Sequence, residues 1–444
     1  ANGAPESPVA PPPPADRTPP ATTYATAHAG LFDLVGLLAR LGVGRMTTDF
    51  DAQAVGCRWA HAAMAGENAS ELRIGVAGMS VDLVGSRARS DVILAAPPDD
   101  EGYAAGKLKT AGMSFLAPLA LTIANGDRWR RLRALNEQIL CTGGTHAYAQ
   151  AFLERVREAF DRPVTGRNDI RDAMARAMTG IVLGTVRAED DHAAEDVIAL
   201  FDAVQSPLRR KLFGFRYRGR RERLYALIGR RFDNTRETDL TLLALAHRAE
   251  PGIARDELLQ QVPHWMFTFT GSGTDLLGRT LALITARPDT RRRVLAELDT
   301  AGSPELATTI ARLDFLNACC LETGRLFPPV TRTFHRAPDG EGDVIQYFPL
   351  LQRDDALGPT VHHFVPDRWL GSEHDDVAAA SNLFLRGPRA CPGADLILFV
   401  CRAALVRLLR DFRVSGGGRR LARDPLPLSF PEREARFTIA EATP

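Results

Sequence analysis

The chain has 444 residues, 45% hydrophobic and 25% charged, with 55 Lys and Arg against 54 Asp and Glu for a formal net charge of +1. That is the composition of a globular protein with ample core-forming material, and its near-neutral balance gives no global electrostatic argument for nucleic-acid or membrane partners. Six cysteines without a CxxC pair exclude a disulfide scaffold and a zinc ribbon, and fit a reducing, cytoplasmic setting.

In chain order, the opening ANGAPESPVAPPPPADRTPP is proline-rich and has no basic region followed by an apolar stretch. Residues 1–30 therefore read as a flexible tail and not as a signal peptide. Leu31 to Gly44, LFDLVGLLARLGVG, has the pattern of an amphipathic first helix and is too short and interrupted to span a bilayer. ELRIGVAGMSVDLVG carries two alternating apolar runs about Gly78, which predicts a hairpin. From Pro97 and Pro98 to Pro118 the chain is irregular and glycine-containing, long enough for a functional loop. GDRWRRLRALNEQIL, THAYAQAFLERVREAF, DIRDAMARAMTGIVLG and AAEDVIALFDAVQS follow as helices. Arg209 to Arg231 is a dense arginine run, read first as a solvated helix–loop–helix surface and second as a patch for an acidic ligand or partner. RDELLQQVPHWMFTFTGSGTDLLGRTLALITARP predicts a long helix with Pro263 inside it. LDFLNACCLETGRLF predicts another, with Cys319 and Cys320 packed in a core. No repeat or break in composition divides the chain. One large domain over residues 31–444, mainly α with a small β region, is the expected fold.

The segment Phe384 to Asp395, FLRGPRACPGAD, sets Cys391 in a loop punctuated by Gly387, Pro388, Pro392 and Gly393, just ahead of the apolar run LILFVCRAALVRLLRDF. Structural cysteines more often sit inside helices or strands as small hydrophobes. A sulfur aimed from such a loop suits an iron thiolate, which needs nearby positive charge and backbone N–H donors to stay deprotonated. The glycines allow close approach to a flat cofactor. Phe384 can pack beside the sulfur, Arg389 can pair with an acidic group of the cofactor, and the following helix directs its N-terminal dipole toward the sulfur.

Phe384, Gly387, Arg389, Cys391 and Gly393, as F-x-x-G-x-R-x-C-x-G, resemble the cysteine loop of the cytochrome P450 superfamily, the haem-thiolate monooxygenases, here of the soluble bacterial type. The resemblance runs from about Leu31 to the end. It implies the mainly α cytochrome P450 fold with haem b as cofactor and Cys391 as the protein's metal ligand. Glu322 and Arg325 of ETGR are by spacing an ordinary i,i+3 pair. The resemblance implies that they join Arg368 of HFVPDRWLG in a buried triad that fixes the cysteine loop. Trp129 and Arg133 share a helix face, and the resemblance has them reach one haem propionate, with His335 or Arg336 meeting the other. In FTFTGSGTDLLGRT, Gly271 and Thr274 match the family's run above the iron. Gly273 stands where an acid usually lies, and Asp275 follows one position late, about 100° round the helix. Thr274 alone could bond back to a carbonyl; in the family's place it holds a water that delivers protons. APDGEGDVIQYFP is shorter than the family pattern and lacks the usual second hairpin, which leaves part of the channel-lining sheet unaccounted for.

By the same resemblance, the protein inserts one oxygen atom from O2 into a hydrophobic, natural-product-like small molecule. Electrons come from a separate ferredoxin and ferredoxin reductase, for which Arg128, Arg130, Arg131 and Arg386 are the docking charges. Met113, Phe115, Phe267, Thr270 and the stretch Val330 to Thr333 are the candidate pocket residues. Gly273 motivates a rival: a haem-thiolate enzyme that works without external electrons, by peroxygenation, rearrangement or nitrene-type C–N bond formation. A haem-based sensor or carrier is a further alternative, told apart by the absence of turnover. A monomer with no nucleic-acid or membrane partner completes the expectation.

Overall fold

Short runs of alternating apolar residues build the sheet beside which the site forms. The computed structural model describes residues 24–441 apart from 45–49, 77–78, 99–102, 163, 165, 185–187, 250–251, 337–341, 372–374, 417 and 433–436. Strand β1 (Thr26–Ala29) lies parallel to β2 (Glu71–Val76), and β2 pairs antiparallel with β3 (Met79–Val84), Glu71 opposite Val84. β4 (Arg332–Arg336) pairs antiparallel with β5 (Asp343–Tyr347), which lies parallel to β3, giving the order β1-β2-β3-β5-β4. The strands of the expected hairpin are present; Gly78 lies outside the described residues.

Two expectations change here. Thr26–Ala29, assigned to the tail, form β1, with Ala27 and Ala29 buried against Cys57, Met64 and Leu72. The remainder of that tail through residue 23 lies outside the described residues. The stretch that lacked a recognisable hairpin supplies β5, an interior strand whose Gln346 is fully buried.

Helix α1 (Leu31–Gly44) is followed by α2 (Ala52–Gly66), which opens on Asp51, whose carboxylate accepts from the Ala54 N–H at 3.1 Å. Next come α3 (Arg87–Ala95), α4 (Lys107–Leu116) and α5 (Gly126–Leu140). α4 occupies part of the stretch expected to be irregular. Asp343 of β5 accepts from the Lys107 and Leu108 N–H groups at 3.0 and 3.3 Å, so a remote strand caps the helix where its own sequence offers only Gly106.

Helices α6 (Ala149–Ala159), α7 (Arg167–Leu183) and α8 (Ala188–Gln205) pack in succession. α9 (Pro207–Asp233) is one helix kinked at Phe213, with φ −124° and ψ 17°, where two helices and a loop were expected. After α10 (Leu242–Arg248) and α11 (Arg255–Leu259), α12 (Val262–Thr268) carries Pro263 in its first turn. A proline there gives up no helical hydrogen bond, so the predicted long helix starts at this point instead of running through it. A π-type turn, Phe269–Gly273, leads into α13 (Thr274–Ala286). α14 (Pro288–Thr300), α15 (Ala307–Ala311) and α16 (Asp314–Leu326) return the chain to the sheet. α17 (Phe348–Gln352) and α18 (Asp376–Ala379) precede the cysteine loop, and α19 (Ala394–Asp411) leaves it. β6 (Phe412–Gly416) and β7 (Phe437–Glu441) form a separate antiparallel pair.

One core joins these helices: Leu132, Phe152, Ile181, Leu277, Leu316 and Leu405 are all fully buried within it. Side chains of this size contribute about 1.5–3 kcal/mol each on burial. The buried indole of Trp265 donates to Asn136 Oδ1 at 2.7 Å, so its one polar atom is satisfied. Cys319, Cys320 and Cys401 are core residues, and all six cysteines are free thiols. Among the described residues, no helix is long and apolar enough to cross a membrane.

Candidate functional site

The cysteine loop rests on a buried charge network. Glu322 and Arg325, one turn apart on α16, are both fully buried. Arg325 Nε donates to Glu322 Oε2 and its Nη2 to Glu322 Oε1, each at 2.8 Å. Arg368 Nε donates to Glu322 Oε1 at 3.1 Å, the Val365 N–H to the same oxygen at 3.1 Å, and Trp369 Nε1 to Oε2 at 2.9 Å. Arg325 Nη1 also reaches the Val361 carbonyl at 2.8 Å. One carboxylate thus collects two guanidiniums, an indole and a backbone N–H, which offsets the cost of burying its charge.

A chain of hydrogen bonds runs from this network to the loop. Gln352 donates to the Arg325 carbonyl at 2.6 Å and accepts from the Asn382 N–H at 2.8 Å. Asn382 Oδ1 in turn accepts from Arg386 at 3.2 Å. Gly324, inside ETGR, leaves room for Leu383: a Cβ there would lie 2.3 Å from Leu383 Cδ2. Trp369, Gln352, Asn382 and Gly324 escaped the sequence reading. Trp369 adjoins Arg368 and Gly324 lies within the motif, so proximity was the available signal; Gln352 and Asn382 had none.

Within the loop, the Cys391 N–H donates to the Phe384 carbonyl at 2.7 Å and closes the turn. Gly387 has φ +59°, and a Cβ on it would lie 2.9 Å from the Leu94 carbonyl oxygen, so this position requires glycine. Arg133 donates to the Ala390 carbonyl and pairs with Glu137 at 2.6 Å. Thr142, in the turn that follows α5, donates to the Pro392 carbonyl at 2.7 Å, so α5 and the turn after it hold the loop at two points. Trp129, on the same helix, packs partly buried against the main core. Burial raises the Cys391 pKa above its ordinary value, while the Gly393 N–H and the Arg133 guanidinium draw it back down.

The π turn covers this loop. A Cβ at Gly393 would sit 3.5 Å from Phe269 Cζ. The Thr274 hydroxyl donates to the Thr270 carbonyl at 2.6 Å and that of Thr270 to the Met266 carbonyl at 2.8 Å. Gly271 admits the Phe201 ring, 2.0 Å from where a Cβ would stand. Gly273 packs against α19 and α7: a Cβ would meet Ile397 Cδ1 at 2.6 Å and Met174 Cε at 2.9 Å. No acidic side chain fits there without displacing both. Asp275 is ion-paired to Arg167 at 2.5 Å and to Arg279 at 3.3 Å, which commits it to a different face.

On the sheet side, Arg389 Nε donates to the Ile93 and Ala96 carbonyls at 3.2 Å, and Nη2 to that of Tyr103. His335 of β4 is buried; burial first, then the charges of Arg389 and Lys109, hold its pKa well below the ordinary 6.5. Its Nε2 meets Thr333 Oγ1 at 2.9 Å and Gln346 Nε2 at 3.1 Å, while Nδ1 has no hydrogen-bond partner among the described residues. Arg336, one strand position on, falls on the opposite face. Of the two candidates, His335 is the one beside Arg389. Met113, Phe267 and Thr270 are buried, and Phe115 stacks edge-on with Tyr217 at 6.4 Å, whereas Val330 is 47% exposed. Three of the four arginines assigned to a redox partner have partners within the chain: Arg128 with Glu257 at 2.7 Å, Arg130 with Asp127 at 2.5 Å and Arg386 with Asp91 at 2.7 Å.

Among the described residues, no group of three His, Cys, Asp or Glu side chains is placed to hold a metal ion. A single loop sulfur suits iron already held in a macrocycle. The unsatisfied His335 Nδ1 and the cations Arg389, Lys109 and Arg133 around the loop fit a group that carries carboxylates.

A helical fold with a small sheet, closed over a cysteine loop seated on a buried Glu–Arg–Arg network, is the arrangement that the cytochrome P450 resemblance led one to expect. The comparisons agree. The cytochrome P450 family model matches residues 220–438. Cytochrome P450 monooxygenase 91 of the fungus Postia placenta is 28% identical over 218 residues, 41% of this chain and 40% of that one. Cytochrome P450 3A29 of Sus scrofa is 28% identical over 179 residues, 36% of this chain and 35% of its own length. Each match thus spans two fifths or less of the relative. Cyanobacterial CYP120A1 with retinoic acid bound has the same fold, with a TM-score of 0.68, 18% identity, and coverage of 86% of this chain and 94% of that one. The family model over residues 220–438, the P450 relatives and the shared fold together support the cytochrome P450 superfamily.

Proposed function

We propose that the protein binds haem b through Cys391 and inserts one oxygen atom into an apolar small molecule, using electrons from a separate ferredoxin-type partner. The observation that carries this is the seating of Cys391: a loop sulfur beside the Gly393 N–H and Arg133, anchored to a fully buried Glu322–Arg325 pair. Bound haem supplies the activation of dioxygen and its transfer to carbon. Gly393 and Arg133 favour the thiolate form of Cys391. Arg389, Arg133, His335 and Trp129 hold the cofactor's carboxylates, and the Glu322 network keeps the loop from shifting. Met113, Phe115 and Phe267 exclude water around the substrate body. Thr274 Oγ1 handles the proton, by exchanging its hydrogen bond to the Thr270 carbonyl for one to an incoming water.

Gly273 favours a second reading, because the position carries no acid and a side chain there would have to displace Ile397 and Met174. In that reading the enzyme takes a peroxide or an activated N–O substrate and needs no electrons. One assay separates the two. Purified haem-loaded protein receives apolar substrates with and without ferredoxin, reductase and a nicotinamide cofactor. Strict dependence on electrons, with Thr274→Ala losing product by roughly 10²–10⁴-fold while Thr274→Ser retains it, supports the oxygenase. Full-rate turnover without electrons overturns it, and absence of any turnover points to a sensor or carrier.

A further inference from the structure

The arginine run that stands out in the sequence lies on α9, and the haem site makes no use of its first half. Pro207 to Arg221 holds seven Lys and Arg and no Asp or Glu, in a chain whose total charge is only +1. The near-neutral total therefore hides a strong local excess. From Leu208 to Arg223 no residue of the helix is buried, whereas Leu224, Leu227 and Ile228 beyond it belong to the core. The C-terminal half anchors α9, and the N-terminal half lies on the surface.

Large apolar side chains stand in water on that half. Leu208 is 65% exposed, Leu212 56% and Phe215 69%, at i, i+4, i+7 spacing, and Phe213, where the helix kinks, is exposed as well. Leu108 of α4 is also exposed. α4 runs alongside α9: a Cβ at Gly112 would lie 3.8 Å from Arg210 Nη1, and the Leu116 carbonyl accepts from Arg221 at 2.9 Å and from Tyr225 at 3.0 Å. This places Leu108, one turn before Gly112, toward the start of α9.

The basic side chains divide by position. Arg210 donates to the Ala203 carbonyl at 3.1 Å, Arg209 pairs with Asp202 at 3.5 Å and Arg220 with Asp196 at 2.8 Å, which ties the helix to α8. Lys211, Arg216 and Arg218 are exposed and have no ion pair among the described residues. Arg216 lies over the Phe213 and Phe215 rings at 5.8 and 5.6 Å, so cation and apolar tips share one surface.

That mixture selects among partners. A protein–protein interface gathers its apolar residues in a core and is depleted in lysine, whereas here charge and apolar side chain alternate along the helix. Nucleic acid would answer the cations and leave Leu208, Leu212 and Phe215 without apolar contact. An anionic bilayer answers both, since headgroups meet the cations while the apolar tips enter the acyl boundary. We propose that the N-terminal half of α9, with Leu108 of α4, is a docking surface for an anionic lipid bilayer, on which the protein lies without crossing it. This stands against the sequence expectation of no membrane partner, which rested on total charge and on spanning length. It does not depend on the chemistry at Cys391.

The test sediments the full, haem-loaded protein with vesicles of phosphatidylcholine alone or of phosphatidylcholine mixed with phosphatidylserine. The protein should bind the mixed vesicles at low salt, ignore the neutral ones, and be released as salt rises. Arg216→Gln with Arg218→Gln should weaken binding about 30-fold, at about 1 kcal/mol per charge. Leu212→Ser with Phe215→Ser should weaken it about tenfold or more. These positions are exposed, so haem content and melting temperature should match the parent protein in both variants. Equal binding to neutral and anionic vesicles, or binding to neither, overturns the proposal. So does a loss in the arginine variant alone, because charge without apolar insertion describes an acidic protein or a nucleic acid as the partner. Unchanged binding in the arginine variant puts the lipid contact elsewhere on the molecule and overturns it too.

Discussion

The two sides of the site solve opposite problems. Beneath, around Glu322, the buried charge is matched: one carboxylate accepts five hydrogen bonds from four residues, and Gln352 and Asn382 carry the bonding on to the cysteine loop. Above, on α12, the π turn and α13, hydroxyls satisfy themselves by bonding back one turn. A saturated buried network fixes geometry, since moving any member strands the others. A hydroxyl bonded back within its own helix can exchange that bond for one to a ligand. The lower half is built for position and the upper half for exchange.

The sharpest way to break this contrast is at the sulfur. Cys391→His should convert the absorption of the reduced, carbon monoxide-bound protein from the thiolate to the imidazole type and abolish oxygen insertion. Cys401→Ala, in the buried core of α19, should leave the spectrum intact. An unchanged band in Cys391→His would remove the cysteine loop from the site altogether.

Next in size is Glu322→Ala, which leaves Arg325 and Arg368 uncompensated. A loss of about 3–5 kcal/mol in denaturant unfolding, with poor haem retention, is expected. Glu322→Gln should lose less, since it keeps an acceptor. Full stability in the alanine variant would mean that the lower half does not depend on its network.

The upper half should be limited by packing instead. Gly273→Asp meets Ile397 and Met174 and should cost about 1–3 kcal/mol from crowding. Gly278→Ala in α13, with only Ile170 Cδ1 at 3.8 Å, should be neutral or slightly stabilising. Equal melting temperatures for the two variants would show that the site can admit an acid.

The smallest effect is a pH dependence. His335 and His264 are neutral when folded, with pKa values below the ordinary 6.5, and His264 lies near 4. The unfolded chain therefore binds more protons as pH falls below 6.5. Stability should be level above that pH and decline beneath it, at up to about 1.4 kcal/mol per pH unit for each histidine. Urea unfolding between about pH 7 and pH 5 measures this, and His264→Gln should flatten part of the slope. A slope of opposite sign would mean that the histidines gain partners on folding.

How far each half could be read in advance follows from the range of its interactions. The cysteine loop and the i,i+3 pair of ETGR are local: turn-forming residues around Cys391 and one helical turn between Glu322 and Arg325 are written in consecutive letters. The sequence by itself therefore determined the family resemblance, the sulfur and the mainly helical fold. The tertiary structure alone decided that α4 exists, because its cap is Asp343 from a strand far along the chain. It also set His335 beside Arg389, since strand alternation turns His335 and Arg336 to opposite faces. Gly273, an apparent omission in the sequence, is filled by side chains from two other helices. Bonding within a turn can be read from neighbouring residues, but the space left between packed helices depends on side chains that the local sequence does not contain.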